Sequence, residues 1–285
     1  IGNFAFNNCS SLAEINIPSK VTSIGNFAFH GCCALKAISI PFSVTSIGEQ
    51  AFGCCILLTK ISIPSSVTMI HKYTFFKCTS LEEITIPPSI ESIGENAFRE
   101  CTNLKKVVIP SSVTKIKRYA FYACTSLKEL TLSSSLLFIG DSAFRGCESL
   151  IKVSIPSSVT TIKENAFSEC KSLSQIEISP SLTSMSDSLF GGCTSLTQVK
   201  IPSSIKEIGY SAFDGCSTLS QVIFEEPSSL KTIGDKAFNE CISLKEIDIP
   251  SSVTEISSKA FFGCSLLSQI TIPSSVTLID DYVFN

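Results

Sequence analysis

Residues 98–120 read F-R-E-C-T-N-L-K-K-V-V-I-P-S-S-V-T-K-I-K-R-Y-A, and Phe121 opens the same pattern again. Phe stands at 6, 29, 52, 75, 98, 121, 144, 167, 190 and 213, always 23 residues apart, and then at 238, 261 and 284. The one longer gap, from Phe213 to Phe238, holds a two-residue insertion around Glu225-Glu226. Other columns keep step. Three residues after each of the first twelve Phe comes a Cys, from Cys9 to Cys264, and six residues after it a Leu, from Leu12 to Leu267. Two aliphatic positions follow at a spacing of two (Val107 and Ile109, Ile61 and Ile63). Then come Pro110 or Pro64, Val113 or Val67, and Ile116 or Ile70. Such an internal period has to be read before any other feature, because it decides the architecture.

The stretch L-x-x-I-x-I ends on two apolar residues two apart, the period of a strand with one buried face. The Pro that follows ends the strand by removing a backbone donor. A strand of about five residues cannot bury its apolar face alone. Stacking identical units lays each strand beside the next in parallel and turns each column into a ladder. Growth in one dimension lets 285 residues form a single solenoid over 1–285, where one compact core would split. The V-T-x-I segment alternates too and reads as a second, weaker extended stretch. The A-F-x-x-C segment is expected to make one helical or 3₁₀ turn at the bend, with its Phe inside. Gly follows the last Ile in Gly25, Gly48 and Gly94, but His71, Lys117 and Lys163 stand there in other units. That position therefore has no strict need for a positive φ.

At this point the unit closely resembles the leucine-rich repeat of the Treponema pallidum subtype, found in BspA-like surface antigens. The resemblance covers the whole chain and rests on A-F-x-x-C-x-x-L-x-x-I-x-I-P-S-S-V-T-x-I-G-x-x. It implies an α/β-type repeat fold: a right-handed leucine-rich-repeat solenoid with a parallel sheet on its concave face, about twelve coils and little regular helix. It also implies a non-enzymatic protein of the cell surface, or a secreted one, that serves adhesion or recognition of host or matrix proteins. The Asn or Cys that follows the strand in other leucine-rich repeats is missing. Its place holds Ser in eleven coils of twelve, such as Ser43, Ser66, Ser89 and Ser275, with Lys20 the exception. A Ser hydroxyl can bond nearby backbone groups as Asn would.

Composition narrows the function. Net charge is −3, from 22 basic and 25 acidic residues, too balanced for a protein that holds nucleic acid by neutralising phosphates. No apolar run approaches the roughly 18 residues of a transmembrane helix. The opening Ile1-Gly2-Asn3-Phe4 lacks the basic and apolar regions of a signal peptide. No dinucleotide or P-loop motif is present, so no cofactor is expected. An acyl-transfer triad needs a base beside a nucleophile. The two histidines, His30 and His71, lie two coils apart at different offsets. No pair of Cys or His has zinc-ligand spacing. Neither end reads as a finished polar cap, so a longer array or self-association through the ends is expected.

Fourteen cysteines allow two states. Oxidised, neighbouring coils could be bridged. Reduced, each Cys is a small buried apolar residue at a bend. The second is favoured, because ladder side chains all point one way while a disulfide needs them aimed at each other. On that reading Cys9 is buried, which argues against the sequon Asn8-Cys9-Ser10. Cys33 and Cys54 fall outside the ladder. Unbridged thiols and the lack of a visible leader favour the alternative of a cytoplasmic scaffold for protein–protein interaction.

The outward strand positions carry what information remains. One column runs Lys60, Glu83, Lys106, Glu129, Lys152, Gln175, Gln198 and Gln221, with alternating sign from Lys60 to Lys152. The neighbouring column is mostly Ser and Thr, broken by Val108 and Ile223. Together these form the candidate concave binding face, suited to a protein or a glycan rather than a polyanion. Phe42, Ile56, Leu57, Tyr73 and Phe76 form a candidate apolar patch.

Overall fold

The structure is a computed structural model that describes residues 1–285. It is a parallel β-solenoid without helix. The chain divides into two compact units, Ile1–Glu148 and Ser149–Asn285.

In the first unit five three-residue strands stand side by side: Ala37–Ser39, Lys60–Ser62, Glu83–Thr85, Lys106–Val108 and Glu129–Thr131. All pairs are parallel, in the register of the repeat: Ala37 on Lys60, Lys60 on Glu83, Glu83 on Lys106, Lys106 on Glu129. The V-T-x-I segments form a second set of two-residue strands, with Met69–Ile70, Ser92–Ile93, Lys115–Ile116 and Phe138–Ile139 consecutive in one ladder. The first L-x-x-I-x-I segment, residues 12–17, forms no strand and enters no ladder.

The second unit repeats the plan. Lys152–Ser154 pairs with Gln175–Glu177, Gln198–Ile201 with Gln221–Phe224, and Glu246–Asp248 with Gln269–Thr271. On its second strand set, Glu207 pairs with Thr232, a step of 25. Gln198 still pairs with Gln221 at a step of 23, so the two extra residues are absorbed in the loop after Phe224.

Strands this short hold because every column repeats. Along Lys60–Ile63 exposed and buried residues alternate, with Ile61 and Ile63 inside. Phe, Cys and Leu of the interior coils are fully buried: Phe98, Cys101 and Leu104 have no exposed area. The Phe rings run as an offset stack through each unit. Phe98 and Phe121 are 5.0 Å apart at 8°, and Phe213 and Phe238 are 5.2 Å apart at 2°. Offset stacking is a favoured aromatic arrangement, worth about 0.5–1.5 kcal/mol per pair beyond area burial.

The bend at A-F-x-x-C is not the helical or 3₁₀ turn expected from sequence. It is a run of β-turns. Ala28 donates its N–H to the Gly25 carbonyl at 3.3 Å and Cys32 to Phe29 at 3.2 Å, each within its own coil. His30 likewise donates to Phe27 in its own coil, and the alternate residues donate to the next coil: Phe27 to Glu49, Phe29 to Ala51, Gly31 to Gly53. The third residue of each outer turn has a positive φ, 55° at Phe27 and 71° at Gly31, as type II turns require. A helix would spend all these donors inside the coil. Alternation instead spends half of them on stacking, which a solenoid needs. The Gly after the second strand is not at positive φ, as expected. At Gly25 a Cβ would lie 2.6 Å from the Asn3 backbone N, so close approach of two coils is the constraint there.

Several hydroxyls of the Ser column bond across coils rather than locally, while the Oγ atoms of Ser112 and Ser252 are buried without a partner. Ser43 Oγ donates to the Val21 carbonyl at 2.6 Å, Ser89 to Val67 at 2.6 Å, and Ser275 to Val253 at 2.7 Å. Each of these three hydroxyls reaches the carbonyl of a Val one coil back.

Candidate binding face

The outward face of the longer strands is where the coils differ while their interior repeats. In the first unit Lys60, Glu83, Lys106 and Glu129 stand in one column, every side chain exposed, with Val108 half exposed beside them. Lys106 Nζ and Glu129 Oε2 are 2.8 Å apart. The Glu129 carboxylate holds the Lys106 ammonium protonated to higher pH than usual, chiefly by their hydrogen bond. Both groups are more than half exposed (59% and 66%), so the pair neutralises the surface more than it stabilises the fold. Glu14, Lys36, Ala37, Ser39, Lys60 and Ser62 line an open trough of about 590 Å³ at the start of this face.

In the second unit Lys152, Gln175, Gln198 and Gln221 are each exposed at the start of their own strands. Lys152 Nζ lies 3.8 Å from Glu177 Oε1, and Ser154 also donates to Glu177. Glu225 of the insertion finds a partner that sequence spacing did not reveal. Lys200 Nζ sits 2.6 Å from its Oε1, and that hydrogen bond lowers the Glu225 pKa. A second trough of about 300 Å³ has Ile223 and Phe224 beside Glu226, Glu246 and Asp248.

The residues read as an apolar patch occupy three separate stretches. Phe42, 71% exposed, stands in the turn after Ala37–Ser39. Ile56 and Leu57 are exposed in the turn that leads into Lys60–Ser62. Tyr73 and Phe76 meet edge to face at 5.4 Å on the bend. They belong to a cluster missed in the sequence. Arg99 lies over Phe76, Tyr119 and Tyr122 at 5.9, 5.7 and 5.0 Å, and Arg118 over Tyr119 at 4.5 Å. Around it runs a second charge ladder, with Lys72 on Glu95 at 3.5 Å and Arg118 on Asp141 at 3.1 Å. The signal was legible: position three before each Phe reads Glu49, Lys72, Glu95, Arg118, Asp141.

All fourteen cysteines are free. Eleven ladder thiols are buried and Cys9 is exposed, which corrects the expected twelve and removes the objection to the Asn8 sequon. His30 is half-buried, its Nδ1 without a hydrogen-bond partner, and burial lowers its pKa.

Short parallel strands at one register, an inward Leu/Ile ladder and an exposed strand face define a leucine-rich-repeat solenoid. The model of the BspA type leucine rich repeat region, in six copies, matches residues 1–128, 91–220 and 218–285, and the chain belongs to that family. Among solved structures, a leucine-rich repeat protein from Bacteroides ovatus is 32% identical, with a TM-score of 0.65 over 94% of this chain and 82% of that one. A leucine rich cell surface protein from Faecalibacterium prausnitzii is 30% identical, with a TM-score of 0.51 over 95% of this chain and 82% of that one. A leucine-rich repeat protein from Eubacterium ventriosum shares the fold at 24% identity and a TM-score of 0.56, over 96% of this chain and 82% of that one. No curated protein matches the chain.

Proposed function

We propose that this chain is a non-enzymatic recognition solenoid of the cell surface, which binds host or extracellular-matrix proteins through the outward face of its longer strands. The observation that carries the reading is the contrast along one strand. In Lys106–Val108 the inward Val107 is sealed in a repeated column, while Lys106 and Val108 stand in solvent on an uncovered face. Such a face can change residue by residue at little cost to folding, which is what a binding surface needs. The similarity to a leucine rich cell surface protein of Faecalibacterium prausnitzii supports the location. The alternative, a cytoplasmic scaffold with the same face, draws on the fourteen free thiols.

Two measurements test the reading. Labelling of intact source cells with a membrane-impermeant amine reagent should modify the protein; labelling only after lysis rejects the surface location. The purified chain should bind immobilised matrix proteins saturably, and Lys106→Ala with Val108→Ser should weaken that binding at least tenfold while the fold stays intact. Equal binding by the variant removes the strand face as the site.

A further inference from the structure

Cys33 and Cys54 stand four and two residues after their respective Phe, so the repeat itself gives them no common column. The structure brings them together across one coil boundary. Cys33 Sγ lies 3.7 Å from the Cys54 carbonyl oxygen. Their backbones are pinned in adjacent turns. Gly31 donates to Gly53 at 2.8 Å, Cys33 donates back to Gly31 at 2.9 Å, and Cys54 donates forward to Phe76 at 2.7 Å. Both residues are half-buried, in contrast to the eleven sealed ladder thiols. The ladder thiols also have a fixed partner each, since Cys32 and Cys55 donate to the carbonyls of Phe6 and Phe29. The Cys33 sulfur thus sits against the backbone of Cys54, and both residues keep access for a small reagent.

We propose that Cys33 and Cys54 are a thiol–disulfide exchange site, which closes into an intramolecular disulfide when a low-molecular-weight disulfide such as oxidised glutathione is present. One thiolate attacks the oxidant's S–S bond, forms a mixed disulfide and releases one reduced thiol. The second thiolate attacks the protein sulfur of that mixed disulfide and releases the other. Two protein thiols are oxidised, one small disulfide is reduced to two thiols, and the two protons pass to the leaving thiolates. The bond ties together the turns that lead into Ala37–Ser39 and Lys60–Ser62, the strands beneath the first trough. Oxidation therefore stiffens that end of the strand face, and a small thiol reverses it.

The test uses the folded full chain with oxidised glutathione, quenched by acid, unfolded, alkylated and weighed. The expected product is lighter by two hydrogens before alkylation, about 2 Da, with tryptic peptides 21–36 and 37–60 joined. It should melt at a higher temperature than the reduced chain, and dithiothreitol should cancel the difference. Cys33→Ser or Cys54→Ser should each abolish the link and leave one glutathione adduct on the remaining partner. Cys32→Ala, a ladder change in the same peptide, should keep the link. An unchanged mass, two separate adducts on Cys33 and Cys54, or a link that survives in Cys33→Ser overturns the proposal.

Discussion

The thiol of Cys101 donates to the carbonyl oxygen of Phe75, one coil back, at 3.1 Å. The same bond recurs from Cys124 to Phe98 and from Cys216 to Phe190, both at 3.2 Å. Each Phe carbonyl also accepts the N–H of the Cys in its own coil, as Phe98 does from Cys101 at 3.1 Å. One acceptor thus closes a turn and ties two coils. A column of small apolar side chains that can also donate explains why Cys, rather than Ala, fills this place.

Burial makes these thiols hard to ionise, and stability should fall in alkali as a result. Burial raises the pKa of Cys32 to about 11 and of Cys124 to about 12. A raised folded value means the native state holds its protons more tightly than the unfolded chain. The contribution is complete below about pH 8.5, the value for a free thiol. It is lost as pH climbs from there through the folded values. Each fully buried thiol removes about 1.4 kcal/mol per pH unit in that window. Urea midpoints measured from pH 7 to 11 should drop steeply, and Cys124→Val should make the drop shallower by one thiol's share, about 1.4 kcal/mol per pH unit. A flat profile in the unmodified chain would place the ladder in solvent.

Core and face should respond differently to truncation. Leu127 has no exposed area, so Leu127→Ala should cost about 2–5 kcal/mol. Lys106→Ala should change stability by less than about 0.5 kcal/mol, since its ion pair is exposed. Chemical denaturation of both variants decides it. A cost below half a kilocalorie for Leu127→Ala contradicts an inward column.

The bends carry backbone strain that single changes should reveal. Ala123 has φ 55° and Gly146, in the same column, φ 73°. An L-residue in the left-handed region costs about 1–2 kcal/mol, partly offset in the comparison by the greater chain entropy of Gly. Ala123→Gly should therefore raise stability by about 0.5–1 kcal/mol, and Gly146→Ala lower it by a similar amount. Opposite signs in melting curves would mean the turns are built otherwise.

The strands were legible in the sequence because two periods are written in the same residues. Ile61 and Ile63 alternate with Lys60 and Ser62, and the whole set recurs at 84 and 86. The direction of the Cys column followed from the same repetition. The bends were not legible. Tyr119 and Lys236 sit at φ 56° and 55° without the glycine that marks such turns, because stacking bonds hold them there. Partners across coils were partly hidden as well. The Ser column was read as bonding locally, yet Ser89 reaches Val67. Lys200 and Glu225 are 25 apart, a diagonal across neighbouring coils like Lys152 and Glu177, which a search along one column does not follow.

The account stands on coils whose Phe, Cys and Leu columns face inward, leaving the strand face free to vary. Counting thiols that react with a water-soluble disulfide reagent in the first minutes, native against denatured, tests this directly. The native chain should expose only Cys9, Cys33 and Cys54, with the eleven buried ladder thiols reacting only after denaturant releases them. Rapid reaction of all fourteen in the native chain would contradict it.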